Sequence, residues 1–124
     1  MSYSIGDFSN ITGLSIYTLR YYEEEKLIFP ARDENNRRRY TDKDKIWIDF
    51  ILRLKETAMP IREIKKYAKL RYAGDSTLRE RLKMLQSHRL LMLEEKKKLE
   101  DNVEHLDEKI KTYEKAIFVY EKEE

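Results

Sequence analysis

From Asp75 to Glu124 the chain contains neither glycine nor proline, and within that stretch apolar residues recur every three or four positions. Thr77 and Glu80 have the spacing of a capping box that opens a helix. With Leu78 placed at d, the seam runs Leu78, Leu82, Leu85, Arg89, Met92, Lys96, Leu99, Val103, Leu106, Ile110, Tyr113, Ile117 and Tyr120. Of these 13 positions, 11 are apolar or aromatic. One helix cannot bury such a seam by itself, so the pattern demands a partner, and a second copy of the chain is the simplest one. The ten apolar positions from Leu78 to Ile117 are the expected dimerisation residues.

The two polar a positions bear on orientation. In a parallel, in-register dimer Arg89 and Lys96 would each face their own copies, placing like charges together twice. An antiparallel pairing lets them meet other layers, including those flanked by Glu100 and Glu104, so an antiparallel coiled coil is expected. Residues 78–120 would span roughly 63 Å at about 1.5 Å per residue. Leu90, Leu91, Leu93, Phe118 and Val119 lie off the seam. They imply a contact besides the partner helix, with a headpiece preferred over an effector pocket.

The other end of the chain carries the chemistry. Ser4 and Asp7 read as a capping box for a short helix that turns Ile5, Phe8 and Ile11 inward. Gly13 suits a turn needing φ > 0, and Ser15 is a good N-cap for a second short helix. Leu14 and Leu19 are spaced for a hydrophobic staple, while Leu19 and Tyr22 share the inner face. Two short helices joined by a glycine-containing turn make a helix-turn-helix. That leaves Tyr17, Thr18, Arg20 and Tyr21 pointing elsewhere, with Ser15 at the mouth. Such side chains can donate to phosphates, and an arginine can read a guanine edge.

Glu23, Glu24 and Glu25 follow at the helix C-terminus, where the macrodipole disfavours them and where they would repel phosphate. That end is therefore expected to face away from a nucleic acid. Pro30 ends the helical stretch. Residues 31–40 read as a β-hairpin with its turn at Glu34, Asn35 and Asn36 and a basic second strand, Arg37-Arg38-Arg39-Tyr40. Directly after a helix-turn-helix, these four residues form a wing suited to the phosphate backbone. Thr41 and Asp44 cap a third helix whose stripe of Trp47, Phe50, Ile51 and Leu54 is widened by Ile46, Ile48 and Leu52. Pro60 starts a fourth, with Ile61, Ile64 and Ala68 inside. Arg62, at its start, is a candidate for a second phosphate contact.

Composition narrows the function classes. Net charge is only +2, so attraction to an anionic partner has to act locally. Residues 1–75 hold 15 basic and 12 acidic side chains, net +3, against net −1 for the remainder. No signal peptide or membrane-length apolar run is evident, which points to the cytoplasm. With no cysteine, disulfides, thiolate metal sites and thiol redox sensing are excluded. His88 and His105 have no ligand-spaced partners, and no phosphate-cradling glycine loop occurs. No catalytic residue, metal or cofactor is expected.

The order of parts, with Thr12-Gly13-Leu14-Ser15, Thr18-Leu19-Arg20-Tyr21-Tyr22-Glu23 and Arg38-Arg39-Tyr40, resembles the MerR family of bacterial transcriptional regulators. The likeness covers the whole chain and is strongest over residues 3–70. Tyr72-Ala73-Gly74-Asp75 and the Leu106–Ile110 segment are similar to the branch with aldehyde-responsive members. The resemblance implies a winged-helix headpiece, an antiparallel dimer through the long helix, and distortion of an overlong promoter spacer so that RNA polymerase can engage. Three departures stand out. The wing reads Asn35-Asn36-Arg37-Arg38-Arg39-Tyr40 where Asn-Gly-Tyr-Arg-x-Tyr is usual. Tyr17 replaces a basic residue common in the recognition helix. Arg53 occupies the position of the cysteine in aldehyde-responsive relatives, so neither that sensing chemistry nor cysteine-based metal sensing is expected.

The sequence thus predicts a mainly α protein. Residues 1–74 form a winged helix-turn-helix headpiece with a small β-hairpin wing, and residues 75–124 a long antiparallel coiled-coil dimerisation helix. The expected function is that of a homodimeric regulator that binds and distorts double-stranded promoter DNA and reaches RNA polymerase through the promoter. The competing class is a coiled-coil adaptor whose helical head binds another protein.

Overall fold

A computed structural model describes residues 1–123. It contains β1 (Ser2–Tyr3), α1 (Ile5–Thr12), α2 (Ile16–Glu24), β2 (Ala31–Arg32), β3 (Arg38–Thr41), α3 (Asp42–Glu56), α4 (Ile61–Ala73), a 3₁₀ turn (Asp75–Thr77) and α5 (Leu78–Glu123). Two compact units are formed, Met1–Leu85 and a second from Gln86 on, and α5 belongs partly to each. The first unit therefore includes the opening turns of α5, and Met84 and Leu85 pack against its core.

Local chemistry sets the helix ends. The Ser4 hydroxyl accepts the Asp7 N–H at 3.1 Å and the Ser15 hydroxyl accepts the Thr18 N–H at 3.0 Å. Between them Gly13 adopts φ 75° and donates its N–H to the Ser9 carbonyl, a left-handed cap that a Cβ would strain. Thr41 and Asp44 form a reciprocal capping box at the start of α3. Thr77 behaves differently from the capping role expected of it. Its hydroxyl turns back and donates to the carbonyls of Leu70 and Gly74 at 2.6 and 2.7 Å, tying the 3₁₀ turn to the end of α4. The tight 3₁₀ turn brings it within reach of them.

The wing is larger than a hairpin. A three-stranded antiparallel sheet has the order β1-β3-β2, with Tyr3 opposite Tyr40, Ala31 opposite Arg39 and Arg32 opposite Arg38. The hairpin turn is organised by Asp33, whose carboxylate accepts the N–H groups of Asn35 and Arg37 at 2.8 and 2.9 Å. These backbone donors stabilise the charged form and hold its carboxyl below the usual range. Asn36 supplies the left-handed residue, at φ 59°.

Phe8, Leu19, Tyr22, Leu27, Tyr40, Trp47, Ile48, Ile51 and Ile64 lie in one core. Trp47 stacks on Tyr67, lies under the Arg71 guanidinium and donates its indole N–H to the Leu27 carbonyl at 2.9 Å. Three expected core residues are not inside: Ile11 and Ile61 are exposed, and Ile46 is 71% exposed. Ile11 is the last residue but one of α1 and Ile61 the first of α4, so both stand at helix ends. From Gln86 on, α5 presents its side chains to solvent, Met92, Leu99, Val103, Leu106, Ile110, Tyr113 and Ile117 among them. Among the described residues no helix is long and apolar enough to cross a membrane.

Candidate nucleic-acid interface

The N-cap at Ser15 aims α2. Because its hydroxyl bonds the Thr18 N–H and donates to Thr18 Oγ1 at 2.9 Å, both polar groups serve the helix start first. With Leu19 and Tyr22 locked in the core, Tyr17, Arg20 and Tyr21 are forced outward. Tyr17 is 80% exposed. The outer face of α2 is therefore a row of long donors held by a rigid, capped helix.

The wing folds beside this face. Ser4, Ile5, Arg20, Arg32, Asn36, Arg37, Arg38 and Arg39 line one concave surface, which brings the helix arginine and four arginines of the wing together. They are not equivalent. Arg37 reaches into solvent, with the half-buried Asp33 carboxylate 3.3 Å from its Nε. Arg39 is held by the N-terminal strand, donating to Ser2 Oγ at 3.0 Å and to the Ser2 carbonyl at 3.1 Å. Arg38 donates through Nε to Glu23 Oε1 at 2.6 Å, and Arg32 through Nη2 to Glu23 Oε2 at 2.7 Å.

Tyr40 is a correction. Its side chain is 1% exposed, stacked on Phe8 with ring centroids 4.3 Å apart, so it cannot reach a nucleic acid. Strand alternation explains it: Arg39 faces out, so Tyr40 faces in. Its hydroxyl has no hydrogen-bond partner among the described residues, and burial pushes it up to about 12.

Arg62 lies elsewhere in the headpiece, at the rim of a second depression with Glu24, Glu25, Lys26, Phe29, Lys65, Lys66 and Lys69. There Glu25 is ion-paired with Lys65. Two residues escaped sequence reasoning: Arg32, which lines the cleft, and Glu23, which bonds two of its arginines. Arg32 had a signal, a lone cation on the strand facing the triple arginine. Glu23 had none at short range, because its partners lie 9 and 15 residues away. Rather than facing away from the basic surface, it anchors it. Among the described residues, no group of three or more His, Cys, Asp or Glu is placed to hold a metal ion.

The sequence and the fold have counterparts among known proteins. A helix-turn-helix transcriptional regulator of Haemophilus influenzae is 34% identical over 117 residues, covering 94% of this chain and 87% of that protein. Among solved structures, HiNmlR, a MerR family regulator lacking the sensor domain and bound to promoter DNA, is 34% identical. It superposes with a TM-score of 0.75 over 94% of this chain and 93% of that one. A protein from Listeria monocytogenes, described as a MerR family transcriptional regulator, is 27% identical with a TM-score of 0.82 over 98% and 92%. The family model for the MerR HTH family regulatory protein matches residues 3–70, the span that builds the capped helix pair, the wing and both following helices. With more than half its length inside that model and a relative matching nearly end to end, the chain belongs to the MerR family of transcriptional regulators.

Proposed function

We propose that the chain binds double-stranded promoter DNA as an antiparallel homodimer and regulates transcription by distorting the promoter, so that RNA polymerase is affected through the DNA. In this reading α2 lies in the major groove, where Arg20 is suited to a guanine edge and Tyr17 and Tyr21 to neighbouring bases or phosphates. Arg37, Arg38 and Arg39 grip the backbone, Ser15 and Thr18 hold the helix start against it, and Arg62 adds a flanking phosphate contact. The α5 seam pairs two copies and fixes the distance between headpieces, for half-sites about 34–36 Å or a multiple apart. Such a protein works in the cytoplasm, beside bacterial DNA.

The observation that carries this reading is the shared concave surface, which places Arg20 of a rigid helix beside the arginines of the wing. A base-reading group and backbone-gripping groups on one face are what sequence-selective binding needs. The test is a gel shift on the chain's own upstream region over a salt series. A selective complex whose affinity falls steeply with salt is expected. A protein that distinguishes no sequence and ignores salt would overturn the proposal.

A further inference from the structure

The wing holds a charge conflict that its own strands do not resolve. Arg32 stands directly opposite Arg38 in the β2–β3 register, and like charges directly opposite in an antiparallel pair are destabilising. The resolution comes from α2. Each oxygen of the Glu23 carboxylate takes one guanidinium, Oε2 that of Arg32 at 2.7 Å and Oε1 that of Arg38 at 2.6 Å. Both Glu23 and Arg38 keep only 24% of their side-chain surface exposed, so solvent screens this pair less than it would a surface pair.

Two consequences follow from the atoms involved. Glu23 engages Arg38 at Nε and Arg32 at a single Nη, so it does not use the two amino groups of Arg38 or the other donors of Arg32. Both arginines line the cleft together with Arg20, which sits three residues before Glu23 on the same helix. The carboxylate therefore orients the wing's cations relative to the helix without consuming them. It also lowers the charge of the cluster, since two guanidiniums and one carboxylate leave a net +1. Sequence-independent affinity scales with the number of phosphates a protein can neutralise. A wing with two uncompensated arginines would grip any duplex, in any pose.

We propose that Glu23 is a positioning residue that sets sequence specificity, tying Arg32 and Arg38 to the helix that carries Arg20 and restraining the wing's grip on non-operator DNA. This rests on the DNA-binding reading above. A duplex that seats α2 in its groove brings phosphates to the free edges of both guanidiniums. A duplex that does not seat it meets an Arg32–Arg38–Glu23 cluster of net +1 in place of +2.

The experiment compares wild type with Glu23→Gln and Glu23→Asp, each as the full chain. The probes are a duplex selected by the wild-type protein from a random-sequence pool and a scrambled duplex of the same length and composition. Binding is measured over a salt series, and thermal melts are recorded alongside. Glu23→Gln is expected to bind the scrambled duplex several-fold more tightly at low salt. Its salt slope should be steeper by about 0.9 for each protomer, and the ratio of selected to scrambled affinity should fall about tenfold. Glu23→Asp keeps the charge and should keep the wild-type slope while recovering part of that ratio. The double variant Glu23→Gln/Arg32→Gln returns the cluster to +1 and should return the slope on scrambled DNA to that of wild type, whatever the melting temperature of the single variant. An unchanged ratio and slope in Glu23→Gln, or equal weakening on both duplexes at the wild-type slope, would overturn the proposal alone. A wild-type protein that showed neither selection nor salt dependence would overturn the DNA-binding reading with it.

Discussion

Replacing Leu106 by alanine tests the proposed dimer along α5. Leu106 lies mid-way along the C-terminal half of the seam and is 63% exposed, so a partner helix has most of its surface still to cover. Removing a fully buried leucine side chain costs about 2–5 kcal/mol. Scaling by the exposed share gives about 1–3 kcal/mol for each copy, and both copies carry the change, so the dimer should lose about 2–6 kcal/mol. At about 1.4 kcal/mol for each factor of ten, the dimer dissociation constant should rise roughly 30-fold or more. Alanine is at least as good a helix former as leucine, so the helix itself is not weakened by the change. Sedimentation over a dilution series reads the dissociation constant, and far-ultraviolet circular dichroism at high concentration checks the helix. A dissociation constant within about threefold of wild type, with helicity intact, would place residue 106 outside any interface and refute the seam.

Arg20→Ala should weaken binding to a selected operator by about 1–3 kcal/mol and relax base preference at one position. A loss equal on all sequences, in a competition assay, would show that it touches only phosphate. Arg37→Ala, at the solvent-exposed tip of the wing, should weaken every duplex alike and lower the salt slope by about one per protomer; an unchanged slope removes it from the contact set. Tyr40→Phe deletes a buried hydroxyl that has no partner, and should stabilise the fold by about 1 kcal/mol in a thermal melt. A destabilisation of that size would mean the hydroxyl is bonded. Because the folded Tyr40 holds its proton up to about 12 against an ordinary 10, its contribution is intact below pH 10 and lost as pH rises toward 12. The stability gap between the phenylalanine variant and wild type should therefore widen by roughly 3 kcal/mol across that window; a constant gap contradicts it. Since the chain has no cysteine, Leu78→Cys and Tyr120→Cys report orientation cleanly. Efficient crosslinking of 78 to 78, with none between 78 and the C-terminal half, would make the dimer parallel.

What the sequence revealed was whatever a few neighbouring residues decide. The caps at Ser4, Ser15 and Thr41 each depend on a hydroxyl three residues from the amide it bonds, and a seam repeating every seven residues is legible for the same reason. What escaped notice was decided across the fold. Nothing in Ser2 and Tyr3 announces a strand until β3 offers them an edge. Tyr40 read as the last residue of a basic wing because its direction is fixed by Phe8, 32 positions away. Thr77 carried a genuine capping pattern, and the carbonyls of Leu70 and Gly74 claimed its hydroxyl instead. Glu23 reads in sequence only as hostile to phosphate, and its role depends on two arginines that only the folded wing brings to it.

The charge balance links the two units in function. Residues 1–75 carry a net +3, a sum that already counts Glu23, spread over two wing arginines, and Glu25, paired with Lys65. A single headpiece so restrained has few cations for phosphate, and its non-specific affinity should be weak at physiological salt. Two headpieces held on one helix pair change the arithmetic, because the second binds from an effective concentration set by the connection rather than by bulk protein. On the proposed reading, the headpiece supplies discrimination and α5 supplies affinity. Loosening the seam at Leu106 should therefore lower operator occupancy at a given protein concentration without changing which bases are preferred. Loosening Glu23 should change the preference and leave the dimer intact.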